Sequence, residues 1–113
     1  MDDCVFCKII RGEIPSSLVL EDKEFLAIRD IYPQAAQHVL VMPREHLGSL
    51  DDVPVWSDGE GQRLLAFTVR VAGVLGIRES GYRVITNVGS DGGQVVDHLH
   101  LHVLGGERLG ELV

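Results

Sequence analysis

Basic residues are scarce in this sequence: ten Lys and Arg face seventeen Asp and Glu, a formal net charge of −7 over 113 residues. A protein that grips a nucleic-acid backbone needs clustered Lys and Arg, so nucleic acid is excluded as a partner, whereas a pocket for one small phosphorylated ligand is not. Long hydrophobic runs are missing too. None approaches the roughly 18 residues of a membrane span, and the opening Met1-Asp2-Asp3 is acidic where an export signal would be basic. The expectation is a soluble, cytoplasmic chain with no membrane partner. Repeats, low-complexity tracts and linkers are absent, and 113 residues at 45% hydrophobic composition suit one compact domain spanning 1–113. Cysteine is limited to Cys4 and Cys7. Two such closely spaced thiols in an intracellular chain point to metal or redox chemistry more than to a structural disulfide.

What is present reads as alternating short elements. Val5, Phe6, Ile9 and Ile10 form a helical stripe within Cys4 to Arg11, stopped by Gly12. Ser17 to Glu21 and Phe25 to Arg29 are apolar runs joined by polar Asp22-Lys23-Glu24, the pattern of a hairpin. A third strand runs from His38 to Met42 and ends at Pro43. Arg44 to Asp52 has room for a helical turn, and Val53 to Asp58, with Pro54, reads as loop. Ser57-x-x-Glu60 fits a capping box ahead of Leu64, Phe67, Val71, Val74 and Leu75, a long amphipathic helix that Gly76 ends. Tyr82 to Asn87 is a fourth strand, Val88 to Gly93 a Gly-rich loop, and a last strand carries His98, His100 and His102. The order predicts an α+β domain, helices packed on one mainly antiparallel five-stranded sheet.

Alternation along that last strand sends His98, His100 and His102 to one side and Leu99, Leu101 and Val103 to the other. Three readings follow. A solvated row of imidazoles gains little on an otherwise apolar strand. A single metal shared by all three is opposed by distance, since His98 and His102 have Cα atoms roughly 13 Å apart at about 3.3 Å per residue. One imidazole acting as a nucleophile toward phosphorus, with its neighbours orienting it or delivering a proton, uses the spacing best.

His98-x-His100-x-His102-Val103-Leu104-Gly105-Gly106, preceded by Asn87 to Gln94, resembles the histidine-triad nucleotide-binding protein family. The resemblance extends to Phe6-x-Lys8-Ile9-Ile10-Arg11-Gly12-Glu13-Ile14-Pro15, Asp30-Ile31-x-Pro33-Gln34-Ala35 and Pro43-x-x-His46, and so covers nearly the whole chain. Gly105-Gly106 is similar to the phosphoramidase branch, where the diadenosine-polyphosphate hydrolase branch would show Pro-Arg and the hexose-phosphate uridylyltransferases replace the third His by Gln. The resemblance implies a histidine-triad fold and hydrolysis of the P–N bond of purine nucleoside phosphoramidates, with mixed acyl-adenylates as further substrates. A dinucleoside-polyphosphate hydrolase and a nucleotide-binding adaptor with little turnover are the alternatives. It also implies a homodimer.

By the same resemblance, His100 is the nucleophile, and His102 and His38 contact the phosphate and serve proton delivery. Asp30, with Ile31 beside it, lies at the ribose; Val5, Phe6, Ile9 and Ile28 form an apolar slot for the base; Asn87 and the amides at Gly93 and Gln94 approach ribose or phosphate. Relatives carry Ser or Thr after the Gln where this chain has Val95, which removes a hydroxyl donor from the phosphate side. Cys4-x-x-Cys7 has zinc half-site spacing, which leaves zinc, a redox pair and plain helix packing open. The family's zinc-bearing members complete the set with residues that match His46 and His98, implying a structural zinc at Cys4, Cys7, His46 and His98.

Overall fold

The computed structural model describes residues 3–111. Helix α1 (Val5–Ile10) is one residue shorter at each end than the stripe suggests, because Cys4 and Arg11 serve as its caps; Cys4 Sγ accepts the Cys7 N–H at 3.3 Å. Strands β1 (Leu18–Glu21) and β2 (Phe25–Arg29) form the predicted hairpin. Its turn is closed by Asp22, whose Oδ1 accepts from the N–H groups of Glu24 and Phe25, each at 2.8 Å. Strand β3 (Gln37–Pro43), a 3-10 helix (Leu50–Val55), helix α2 (Glu60–Leu75) and strands β4 (Tyr82–Ile85) and β5 (Leu101–Gly105) follow. All pairings are antiparallel, in the order β1-β2-β3-β5-β4, so the α+β class with a five-stranded sheet stands as the sequence indicates.

The central strands are apolar on both faces because both faces are covered. Phe25 and Ala27 of β2, Val39 and Val41 of β3, and Leu101 and Val103 of β5 pack with Leu64, Phe67, Val71 and Ala72 of α2. Leu26, Ile28, Leu40 and Met42 point the other way and meet Phe6, with Ile9 and Ile10 of α1 alongside. The second face thus carries a smaller apolar cluster under a six-residue helix, and His38 of β3 and His102 of β5 lie on that same face. No helix among the described residues is long and apolar enough to cross a membrane.

Three local expectations are corrected. Ser57 does not cap α2: Gly59 does so in a left-handed conformation (φ 80°), while Ser57 only offers its carbonyl to the Glu60 N–H. The Glu60 carboxylate is drawn to Arg63 instead of folding back onto the chain, so the capping-box exchange is lost. The stretch read as loop around Pro54 is 3-10 helix, capped by Ser49, whose Oγ accepts from Asp51 N–H at 3.1 Å. The histidine strand is the largest correction, because it starts only at Leu101. Its partner β3 last pairs at Val41 with Leu101 and ends at Pro43, which has no N–H to give. Upstream, the Leu99 N–H goes to the Leu47 carbonyl (2.7 Å) and the His100 carbonyl takes the Thr86 hydroxyl (2.8 Å), so this backbone is satisfied outside the ladder.

Phe67 is 2% exposed, with its ring 5.5 Å from that of Phe25. Phe67→Ala is expected to cost about 3–5 kcal/mol through lost burial and the cavity left behind. A shift of the urea midpoint without loss of two-state behaviour checks it.

Candidate functional site

Only His102 of the three closely spaced histidines is on a strand; it lies opposite Leu40 while His38 lies opposite Leu104. The two imidazoles are therefore diagonal neighbours on the face away from α2. Their hydrogen bonds assign both tautomers. The Gln34 N–H donates to His38 Nδ1 at 3.0 Å, so the ring proton of neutral His38 is on Nε2. That N–H donates to His102 Nδ1 at 2.9 Å, which leaves His102 with its proton on Nε2. His100 is oriented separately: its Nδ1–H donates to the His98 carbonyl at 2.7 Å, leaving the Nε2 lone pair without a proton. The trio thus consists of one acceptor nitrogen on His100 and, with its ring 5.1 Å away, one N–H donor on His102. Burial is the main cause that pushes the His102 imidazole down to about 4, helped by His100 and His38 and opposed by Asp30, so it is neutral near pH 7.

These histidines line a hollow of about 430 Å³ with Phe6, Asp30, Asn87, Gly93, Val95 and others, within the usual range of small-ligand sites, about 300–1,000 Å³. Asp30 uses Oδ1 to accept the Tyr32 N–H at 2.8 Å and brings Oδ2 to 3.4 Å from His38 Nε2. Asn87 donates to the Gly92 carbonyl at 2.7 Å and so braces the loop it belongs to. Gly92 is required there, since a Cβ would sit 2.2 Å from the Val88 carbonyl oxygen.

Several expected contacts are placed differently. The amides of Gly93 and Gln94 donate to the carbonyls of Ser90 and Gly89, so neither N–H is aimed outward, and the Gln94 side chain is consumed in bridging Gly89, Gly48 and Val96. A turn this tight satisfies its own donors. Of the apolar slot, only Phe6 lines the hollow; Ile28 (4% exposed) lies in the cluster behind it with Ile9, and Val5 faces a neighbouring depression shared with Cys4 and His46. Helical spacing turns Val5 away from Phe6. Ile31 is 82% exposed and does not line the hollow, and Val95 stands 90% exposed on the ridge between the two depressions. Tyr32, Gln34, Leu40 and Val96 line the hollow without having been expected. Leu40 was within reach of period-two counting from His38, whereas the tautomer-setting amide of Gln34 has no side-chain signature.

On the far side of Phe6, Cys4, Cys7, His46 and His98 converge, with one ligand atom from each within 4.8 Å of every other. Cys4 Sγ and Cys7 Sγ lie 3.4 and 3.6 Å from His98 Nδ1, Cys7 Sγ lies 3.3 Å from His46 Nδ1, and the two Nδ1 atoms are 3.2 Å apart. A tetrahedral ion at about 2.3 Å from sulfur and 2.0–2.1 Å from nitrogen sets such S···N pairs roughly 3.5 Å apart and N···N pairs roughly 3.3 Å apart. The tautomer agrees, because His98 Nε2–H donates to the Pro43 carbonyl at 2.8 Å and turns the Nδ1 lone pair inward. Burial, with Cys4 next to it, pushes the Cys7 thiol up, and burial pushes His98 down; a divalent cation is what would favour the thiolates such a group needs. The four residues therefore fit a metal. Asp30, His38 and His102 also lie close enough for one, but the Gln34 amide occupies His38 Nδ1 and keeps the proton on Nε2, so no lone pair there faces the group.

Because folded His102 resists protonation, unfolding takes up a proton between about pH 6.5 and 4, and its contribution to stability is lost as pH falls through that window. His102→Gln is expected to give a shallower loss over this range, read from urea midpoints at pH 7, 5.5 and 4.5 in the same metal state as the unmutated protein.

Residues 11–109 match the model of the HIT domain. Across 112 residues, 99% of this chain and 94% of the relative, the sequence is 40% identical to the purine nucleoside phosphoramidase of Escherichia coli K12; it is 43% identical over 110 residues to an uncharacterised 13.2 kDa HIT-like protein of Azospirillum brasilense, covering 96% and 90%. Among solved structures, a histidine triad protein from Clostridium difficile superposes with TM-score 0.93 at 43% identity, over 100% of this chain and 98% of the other. A HIT family hydrolase from Clostridium thermocellum does so with TM-score 0.90 at 42% identity, over the same shares. With the His38, His100 and His102 geometry set on this fold, the chain belongs to the HIT domain family.

Proposed function

We propose that the protein is a purine nucleoside phosphoramidase that hydrolyses the P–N bond of nucleoside 5′-phosphoramidates. The observation that carries this reading is the 2.7 Å hydrogen bond from His100 Nδ1 to the His98 carbonyl, which leaves Nε2 as an unprotonated nucleophile at the hollow. Likeness to the Escherichia coli phosphoramidase supports the substrate class. In the first step His100 Nε2 bonds to phosphorus as the P–N bond breaks and the leaving nitrogen takes a proton from solvent, giving a nucleotidyl-His100 and an amine; the proton released when water attacks in the second step returns it. Water then displaces the imidazole. Over both steps, water supplies the hydroxyl that ends on phosphorus and the proton that ends on the amine.

The His102 Nε2–H is the donor for the phosphate oxygens or the leaving nitrogen, held in that tautomer by His38. Asp30 would accept from the ribose hydroxyls with Oδ2, and Phe6, backed by Ile9 and Ile28, would carry the flat face of the base. Cys4, Cys7, His46 and His98 would hold a zinc ion whose contribution is structural, tying α1 to the segment ahead of β5. The cytoplasm, where these thiols stay reduced, is the compartment this requires. A homodimer fits the edge position of β4 with its exposed Val84, and the exposed Leu65 and Val69 on α2.

Incubation with an adenosine 5′-phosphoramidate is expected to release AMP, with His100→Ala reducing the rate by at least a thousandfold while AMP still binds. Cleavage of a dinucleoside polyphosphate in preference to the P–N substrate would favour the hydrolase alternative, and equal inactivity of both proteins with intact AMP binding would favour an adaptor. Metal analysis of protein prepared without chelator is expected to find one zinc per chain, lost in Cys4→Ser; its absence from the unmutated protein would overturn the zinc assignment.

A further inference from the structure

We propose that His98 is the positioning residue through which a metal at the Cys4, Cys7 and His46 group sets the tautomer and aim of the His100 nucleophile. The coupling runs through one residue. The ring of His98 presents Nδ1 to the group and ties Nε2–H to the Pro43 carbonyl, while its own main-chain carbonyl accepts from His100 Nδ1. The segment containing that carbonyl has no sheet ladder to hold it, because pairing begins only at Leu101. Its nearest main-chain anchors are the Leu99 N–H to the Leu47 carbonyl and a tight His98 N–H bond to the Val96 carbonyl. The ring is fully buried, so its position fixes that of the backbone it hangs from.

A second path reinforces the first. Phe6 lies edge-on to both rings, with centroids 5.8 Å from His98 and 5.0 Å from His100, and it is the residue before Cys7. Helix α1 has six residues, too few to persist without tertiary anchoring. Holding Cys4 and Cys7 holds α1, and with it the aromatic edge against the nucleophile. If metal and carbonyl are coupled in this way, the coupling is reciprocal, and loss of the His100 hydrogen bond must weaken the metal.

This inference rests on the proposed role of His100, but its test does not require turnover. Ring-nitrogen chemical shifts of His100 are compared in Zn²⁺-loaded and chelator-stripped protein at one pH, with β3 and β5 amide shifts reporting whether the sheet is intact. The loaded protein is expected to show His100 as the single Nδ1–H form, and the stripped protein a mixture of tautomers over an unchanged sheet. An unchanged single tautomer after stripping overturns the proposal. Should stripping unfold the sheet, Zn²⁺ affinity by chelator competition decides: His100→Ala is expected to bind zinc several-fold more weakly than the unmutated protein, while His102→Ala, which lines the same hollow but does not touch His98, binds it equally. Equal weakening by both, by neither, or failure of the unmutated protein to bind Zn²⁺ refutes the coupling. Absence of phosphoramidase activity alongside a metal-dependent tautomer would instead count against the proposed reaction and leave the coupling standing.

Discussion

Because β3 pairs antiparallel with β5, with Leu40 opposite His102 and His38 opposite Leu104, two imidazoles 64 residues apart in sequence come to share one proton at 2.9 Å. The end of the same pairing matters as much. Where β3 reaches Pro43 the ladder stops, and the chain ahead of Leu101 bends, buries His98 and directs its carbonyl at His100. A continuous strand would have spent that carbonyl on a neighbouring N–H. Pro43 contributes twice, by giving no N–H and by offering its own carbonyl to fix the His98 ring.

The two sides of the sheet divide the labour. The α2 side holds most of the buried apolar residues and packs β2, β3 and β5 against the helix. The other side is shared between a small cluster around Phe6, Leu40 and Met42 and the polar groups. Polar groups are held there because each has a partner: Gln34 for His38, His38 for His102, the His98 carbonyl for His100, and Pro43 for His98. Buried imidazoles lacking such partners would be costly, and unpartnered rings would not settle on one tautomer. Satisfaction of buried hydrogen bonds and selection of one tautomer per ring are here the same arrangement.

Much of this was legible before folding. The hairpin at Asp22, the strand from His38, the amphipathic α2 with Gly76 at its end and the Cys4-x-x-Cys7 half-site follow from periodicity, turn chemistry and motif spacing, which are local properties of a chain, whereas His46 and His98 joined that half-site only through the family resemblance. The spacing argument against one metal for all three rings assumed a continuous strand that the fold does not have, although His98 and His102 do fall in different groups. Sequence misjudged two places: Glu60 turned to Arg63, three residues on in the same helix, and left Ser57 without its capping exchange, and Val5, on the same stripe as Phe6, faces a different depression.

The sequence by itself determined the residue types at the site and the elements that carry Phe6, His38 and His102, since helix and strand periods are local; it did not determine that His98 and His100 lie ahead of β5. Tertiary structure decided the tautomers of His38, His98 and His102, and which main-chain carbonyl takes the His100 Nδ1–H. Each is set by a main-chain group or another ring that the folded path presents to it: the nearby Gln34 amide and His98 carbonyl for His38 and His100, and the distant Pro43 carbonyl and His38 ring for His98 and His102. Main-chain donors and acceptors are the same at every residue, so no sequence pattern marks which of them will meet an imidazole. Only the folded path of the chain selects them.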